Sequence, residues 1–167
     1  QTPTAAVILE PLIQGAGGMR VVRPQFLQAV GQQVRRAGSL LIADEVLAGF
    51  GRCGRLLASQ RAGIQPDLVA LSKGLTAGFL PMGITMASEA IFQEFLGSDP
   101  TKTLWHGHSF TANPLGCAAA NASLDLLEAD PACHEQFEQR HQVRLERLVG
   151  HPRVQRIRLC GTIAAFD

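Results

Sequence analysis

The chain has almost no excess charge of either sign: 15 lysines and arginines against 14 acidic residues leave +1 at pH 7 over 167 residues. That balance removes the electrostatic case for nucleic acid or an anionic membrane as a partner, and the basic residues near the C-terminus alternate with acids rather than forming a block. A run of about 18 apolar residues, as a membrane helix requires, is also missing, as is a basic-then-apolar leader. A cytoplasmic protein is the expectation. The four cysteines, Cys53, Cys117, Cys133 and Cys160, include no Cys-x-x-Cys pair. Neither a zinc site nor a small disulfide framework is therefore expected, and reduced thiols are. Internal repeats and low-complexity stretches are absent. With 46% hydrophobic and 17% charged residues, the chain has the composition of a globular protein able to bury one core.

What is present is a series of short apolar runs separated by glycine-rich loops. Ala5 to Leu9 reads as a buried strand ending at Glu10-Pro11, followed by a loop at Gln14 to Gly18. Pro24 stands where a helix would begin, and Phe26, Leu27, Val30 and Val34 recur at helical spacing up to Gly38. Leu40 to Ala43 and Leu68 to Leu71 read as two more buried strands, with a short helical piece ending at Gly63 between them. Alternation of strand and helix predicts an α/β protein with a mostly parallel sheet and helices on both faces. Gly83 to Ala87 is a fourth strand, and Ser88 the cap of a helix reaching Phe95. An Ala-rich helix over Leu115 to Leu127 and an amphipathic one from Asp130-Pro131 to about Val149 follow. Val154 to Asp167 alternates and reads as a strand of a smaller α+β domain, so the expected division is 1–150 and 151–167. Both ends read as cuts through a longer protein.

Two residues at strand ends carry the chemistry. Asp44 closes the strand Leu40 to Ala43, at the edge where open α/β sheets place their ligands, although an aspartate there often only caps a loop. Lys73, between Ser72 and Gly74, closes the next strand, with a snorkelling loop lysine as the alternative. An amine that can hold an aldehyde as a Schiff base, beside an anion that keeps a pyridine nitrogen protonated, is what pyridoxal chemistry requires.

Asp44-Glu45-Val46 with Gly49-Phe-Gly-Arg52, Ser72-Lys73-Gly74 and His106-Gly-His-Ser-Phe-Thr-Ala-Asn-Pro114 resemble the motif set of the class III aminotransferases, pyridoxal phosphate enzymes of fold type I. Glu10-Pro-Leu-Ile-Gln-Gly-Ala-Gly-Gly-Met19, His106 to Phe110 and Asn113-Pro-Leu-Gly-Cys-Ala-Ala-Ala-Asn-Ala122 resemble the branch that aminates 8-amino-7-oxononanoate in biotin synthesis. The resemblance implies pyridoxal 5′-phosphate as cofactor, an amino donor (S-adenosylmethionine) and a keto acceptor as substrates, and a homodimer. Lys73 would anchor the cofactor and move the proton at the substrate α carbon. Asp44 would pair with the ring nitrogen, and Ser109 would reach the cofactor phosphate of the other subunit. Glu10 and Gln14 would lie near the substrate, with a plain strand-end carboxylate as the alternative for Glu10. Glu45, one step along the strand from Asp44, faces the other way and is expected to make a structural hydrogen bond or salt bridge.

Other signals carry less. Gly15-Ala-Gly-Gly18 is neither a dinucleotide fingerprint nor a P-loop and reads as a tight turn. His106 and His108 are two apart, but no further ligand completes a metal set. Arg52 in Gly51-Arg-Cys-Gly54 could hold a phosphate, but the resemblance implies a loop position that shapes the active-site entrance or the subunit contact. Leu47 replaces the glutamine common in the ornithine and 4-aminobutyrate branches. The upstream Gly-Ser loop and aromatic of the family, and its downstream arginine, are absent, so this stretch alone is not expected to turn over. Two other readings stay open: a class III transaminase for ω-amino acids or amines, and a non-catalytic remnant of the same fold.

Overall fold

A computed structural model describes residues 3–167. Its central sheet has the order β1-β4-β5-β6, from β1 (Ala6–Leu9), β4 (Leu40–Asp44), β5 (Leu68–Leu71) and β6 (Ile84–Ala87). The pairings β1·β4 and β4·β5 are parallel, with Ala43 opposite Leu9 and Val69. β6 is antiparallel to β5, because the stretch from Ser72 to Gly83 holds no helix that could carry a parallel crossover. Between β1 and β4, a ribbon of β2 (Ile13–Gln14) and β3 (Arg20–Val21) leads into α1 (Pro24–Arg36).

α1 begins on Pro24 at its first turn, as the sequence implied, and ends with Ala37 as its cap before Gly38. Its buried residues Leu27, Gly31 and Val34 lie on one stripe. Asp67 locks the entry to β5: its carboxylate accepts from the Leu41 N–H at 2.8 Å, and its own N–H donates to the Leu41 carbonyl at 2.8 Å.

The strands are not buried on both sides. Leu41, Ala43, Val69 and Leu71 share the covered face, while on the other face Ile8 is 63% exposed and Leu40 38%. Among the described residues the helices therefore cover one face, not two. Unbroken apolar runs do not distinguish a strand covered twice from one covered once. The covered side holds two clusters. Leu12, Ile13, Leu27, Ala48, Cys53, Ala58, Ala62 and Cys160 form one, and Ala43, Phe50, Val69, Leu71, Leu75 and Ala120 form the other.

Further along, α3 (Glu89–Glu94) begins after Ser88, whose side chain makes no capping bond. α4 (Pro114–Ala129) is capped by Asn113, which accepts from the Gly116 N–H at 2.7 Å. α5 (Cys133–Glu146) buries Leu145 alone and leaves Phe137 and Val143 exposed, so the expected amphipathic packing is narrow. The segment from Val154, expected as one strand, is a hairpin of β7 (Arg158–Cys160) and β8 (Ile163–Ala165) turning at Gly161-Thr162. Cys160 and Ile163 of that hairpin pack in the cluster that holds Leu27.

Candidate active site

Asp44 and Lys73 follow each other across the sheet. Asp44 is the last residue of β4 and pairs with Ala70 of β5, and the next residue's N–H, that of Glu45, donates to the Ala70 carbonyl at 2.9 Å. β5 ends at Leu71, so the carboxylate and the lysine leave neighbouring parallel strands at the same edge. This is the C-terminal edge of the parallel part of the sheet, where loops diverge and leave room for a ligand.

Asp44 is half-buried, and its Oδ1 accepts from the Val46 N–H at 3.1 Å, which fixes the side chain as the chain turns away. Glu45 faces the opposite way and is completely buried. Its Oε2 accepts from the Ala58 N–H at 2.5 Å and its Oε1 from the Ser59 N–H at 2.9 Å. It thus satisfies two of the free donors that open α2 (Ala58–Ala62), where a negative charge also meets the positive end of the helix. The structural role expected for Glu45 is borne out.

Lys73 opens a 3₁₀ turn over Lys73–Thr76 and has φ +28°, a left-handed value that a side chain rarely adopts. Its surroundings enforce the conformation. Leu75 and Thr76 are buried, and the Leu75 N–H donates to the Ser72 carbonyl at 2.8 Å. The Ser72 hydroxyl donates to the Met82 carbonyl at 2.7 Å, and the Thr76 hydroxyl donates to the Leu80 carbonyl at 2.5 Å. From below, α4 presents the small stripe Gly116, Ala120 and Ser123, and the Ser123 hydroxyl donates to the Gly74 carbonyl at 3.3 Å. A backbone so overdetermined fixes the position from which the exposed Lys73 side chain leaves the turn, as strained functional positions require.

Glu10 and Gln14 come to the same region through the β2–β3 ribbon. Glu10 Oε2 accepts from the Gly15 N–H at 2.9 Å, and Gly15 lies so close to Leu47 that a Cβ there would overlap the leucine Cδ2. The loop after β1 therefore touches the loop that follows Asp44. Gln14 is exposed beside Gly17. The Gly15 to Gly18 stretch is a turn closed by Gly18 and Met19 N–H groups donating to the Gly15 carbonyl, as read from the sequence.

Ser109 is not part of this gathering. It lies in an exposed loop from Leu104 to Ala112, organised by bonds among its own members, including the His108 N–H to the Thr111 hydroxyl at 2.9 Å. Trp105 is 81% exposed there and Phe110 74%. The Arg52 carbonyl accepts from the Thr162 N–H of the C-terminal hairpin at 2.8 Å. Among the described residues no group of three or more metal-ligating side chains occurs, and no helix is long and apolar enough to cross a membrane.

Sequence reasoning missed the supports of the lysine: Ser72, Thr76 and Ser123. Only the third had a visible signal, since Gly116, Ala120 and Ser123 recur at helical spacing within the Ala-rich segment.

The family model for class-III aminotransferases matches residues 1–167. An adenosylmethionine-8-amino-7-oxononanoate aminotransferase of Synechococcus elongatus is 61% identical over 163 residues, covering 98% of this chain and 38% of that protein. Among solved structures, a thermostable (S)-enantioselective omega-transaminase from Thermomicrobium roseum superposes with a TM-score of 0.90 at 35% identity, over 97% of this chain and 36% of that one. The omega transaminase of Pseudomonas jessenii in complex with PMP gives a TM-score of 0.88 at 34% identity, over 98% and 36% of the two chains. The chain thus spans less than two fifths of the length of these relatives. Matched along its whole length, it belongs to the class-III aminotransferase family.

Proposed function

We propose that this chain supplies the lysine and the ring-facing carboxylate of a pyridoxal 5′-phosphate-dependent transaminase. The enzyme would work as a cytoplasmic homodimer and carry an amino group from S-adenosylmethionine to 8-amino-7-oxononanoate, giving 7,8-diaminononanoate for biotin synthesis. The observation that carries the chemistry is the exit of Asp44 and Lys73 from neighbouring parallel strands at one edge. The substrate assignment draws on the 61% identical relative of that name. In this reading residues 1–150 belong to the large cofactor-binding domain and 151–167 open the small C-terminal one.

The donor set fits the cofactor. Asp44 has one oxygen fixed by Val46 and, among the described residues, no hydrogen-bond partner on the other, and the lysine amine is exposed. When bound, pyridoxal phosphate supplies a conjugated electron sink for the carbon that bears the transferred nitrogen. Lys73 Nζ would hold the cofactor's aldehyde carbon and, when free, would take and return the proton at the substrate α carbon as general base and acid. The Asp44 carboxylate would keep a proton on the ring nitrogen. Ser109 would donate its hydroxyl hydrogen to a phosphate oxygen in the other subunit, and Glu10 and Gln14 would line the substrate end.

Borohydride reduction after addition of pyridoxal phosphate tests the assignment. The label is expected on the peptide that contains Lys73, and Lys73→Ala is expected to lose it while the protein stays folded. A folded dimer without label at Lys73 would leave the non-catalytic remnant as the reading. A second reading, an omega-amino acid or amine transaminase, draws support from the fold match to the omega-transaminases. Turnover of simple amines in preference to 8-amino-7-oxononanoate would select it.

A further inference from the structure

Cys53 and Cys160 lie far apart in sequence and together in space. Both are buried in the same cluster as Leu12, Ile13 and Leu27, and Gly161, the residue after Cys160, lies against the backbone of Cys53. The backbone enforces the meeting. The Thr162 N–H and hydroxyl both donate to the Arg52 carbonyl, at 2.8 and 3.2 Å. Between them, Gly161 lies with φ +60° so close to the Arg52 carbonyl that any Cβ would overlap it. The β7–β8 turn is thus clamped onto residues 52–54, which brings Cys160 and Cys53 into one buried cluster.

We propose that Cys53 and Cys160 form a reversible disulfide that staples the loop following Asp44 to the β7–β8 hairpin, with a small-molecule disulfide such as oxidised glutathione as oxidant. The exchange balances in two steps. The Cys160 thiolate attacks one sulfur of the oxidant, forming a mixed disulfide and expelling one glutathione thiolate. Cys53, on losing its proton, attacks Sγ of Cys160, forming the protein disulfide and expelling the second glutathione. The two protein thiols together lose two electrons and two protons, and one glutathione disulfide becomes two thiols.

The surroundings fit that order of attack. The neighbouring Cys53 thiol and the Arg61 guanidinium draw the Cys160 pKa down from its ordinary value. The neighbouring Cys160 and burial push the Cys53 thiol up. Because both sulfurs are covered, the oxidant gains access when the hairpin opens, which makes the reaction slow compared with that of an exposed thiol.

The test uses the full chain, folded, with oxidised glutathione. Remaining thiols are blocked with N-ethylmaleimide, and a non-reduced digest is read by mass spectrometry. A linked peptide containing Cys53 and Cys160 is expected, lost on dithiothreitol, with the thermal midpoint of the oxidised protein raised by roughly 5 °C. Cys53→Ser and Cys160→Ser should each lose both the link and the rise. Half-buried Cys117 and Cys133 provide internal controls. Glutathione on Cys53 or Cys160 without a linked peptide, or a link that forms only after denaturant is added, would overturn the proposal. The wild-type peptide map alone decides this, even where a serine variant folds poorly.

Discussion

Glu45 stabilises the fold one residue away from the residue proposed to serve the cofactor. Its carboxylate accepts from two N–H groups at the start of α2 with no solvent contact, so removing it strands two buried donors. Glu45→Ala is expected to cost about 2–4 kcal/mol, and Glu45→Gln, which keeps one acceptor, about 1–2 kcal/mol. Urea unfolding followed by circular dichroism measures both. A loss below 0.5 kcal/mol, roughly the scatter of surface substitutions, would mean the capping bonds contribute little. The strand period made the opposite facing of Asp44 and Glu45 legible in the sequence. The partner of Glu45 was not legible, since the donors lie 13 and 14 positions later on a helix too short to carry a periodic signal. Lys73 was legible as a residue type in context. Its left-handed backbone was not, because the bonds that hold it come from Met82, Leu80 and Ser123.

At the scale of elements, α4 is the platform on which the lysine turn rests, and Asn113 is its N-cap. Asn113→Ala should cost about 1 kcal/mol in global stability. Amide exchange should also quicken in the first turn of α4 and in the Lys73–Thr76 turn above it, which hydrogen exchange by mass spectrometry resolves. Faster exchange in α4 alone would show that the two elements are not coupled. The C-terminal hairpin responds to acid instead. Asp167 accepts from Arg158 at 2.8 Å and also meets Arg156, and these cations hold its carboxyl below the ordinary 3.8. A depressed folded-state value means the contribution is complete above the unfolded value and fades as pH falls through the folded one. The Gln155–Asp167 backbone pair should therefore lose protection, measured against the intrinsic exchange rate at each pH, below about pH 3.8 in the wild type, and Asp167→Asn should show that loss of protection at neutral pH. Apolar runs and prolines located most of these elements in advance. The hairpin escaped because Gly161 and Thr162 turn within what reads as one alternating strand, and the contacts that demand the turn belong to Arg52 and Cys53.

Across the whole molecule, Ser109 stands apart from the strand-end pair. Asp44 and Lys73 share an edge, whereas Ser109 stands in an exposed loop with Trp105 and Phe110 open to solvent. An apolar, exposed segment next to a residue proposed to bind phosphate is what an interface between two copies would look like before assembly. The geometry of such sharing can be tested by mixing two inactive variants of the longest reading frame that contains this stretch. Lys73→Ala keeps an intact Ser109, and Ser109→Ala keeps an intact lysine. If Ser109 serves the partner's site, a mixed dimer contains one site with both residues intact and one with neither. Random reassortment of equal amounts makes about half the dimers mixed, each with one working site of two, so activity should recover to about a quarter of wild type. If Ser109 instead serves its own chain, no mixed dimer contains an intact site, and the mixture should not exceed the mean of its parents. Trp105→Asp, placed in the same loop, should weaken dimerisation in sedimentation equilibrium and remove the recovery with it. Recovery that survives loss of the dimer would contradict a site shared between subunits.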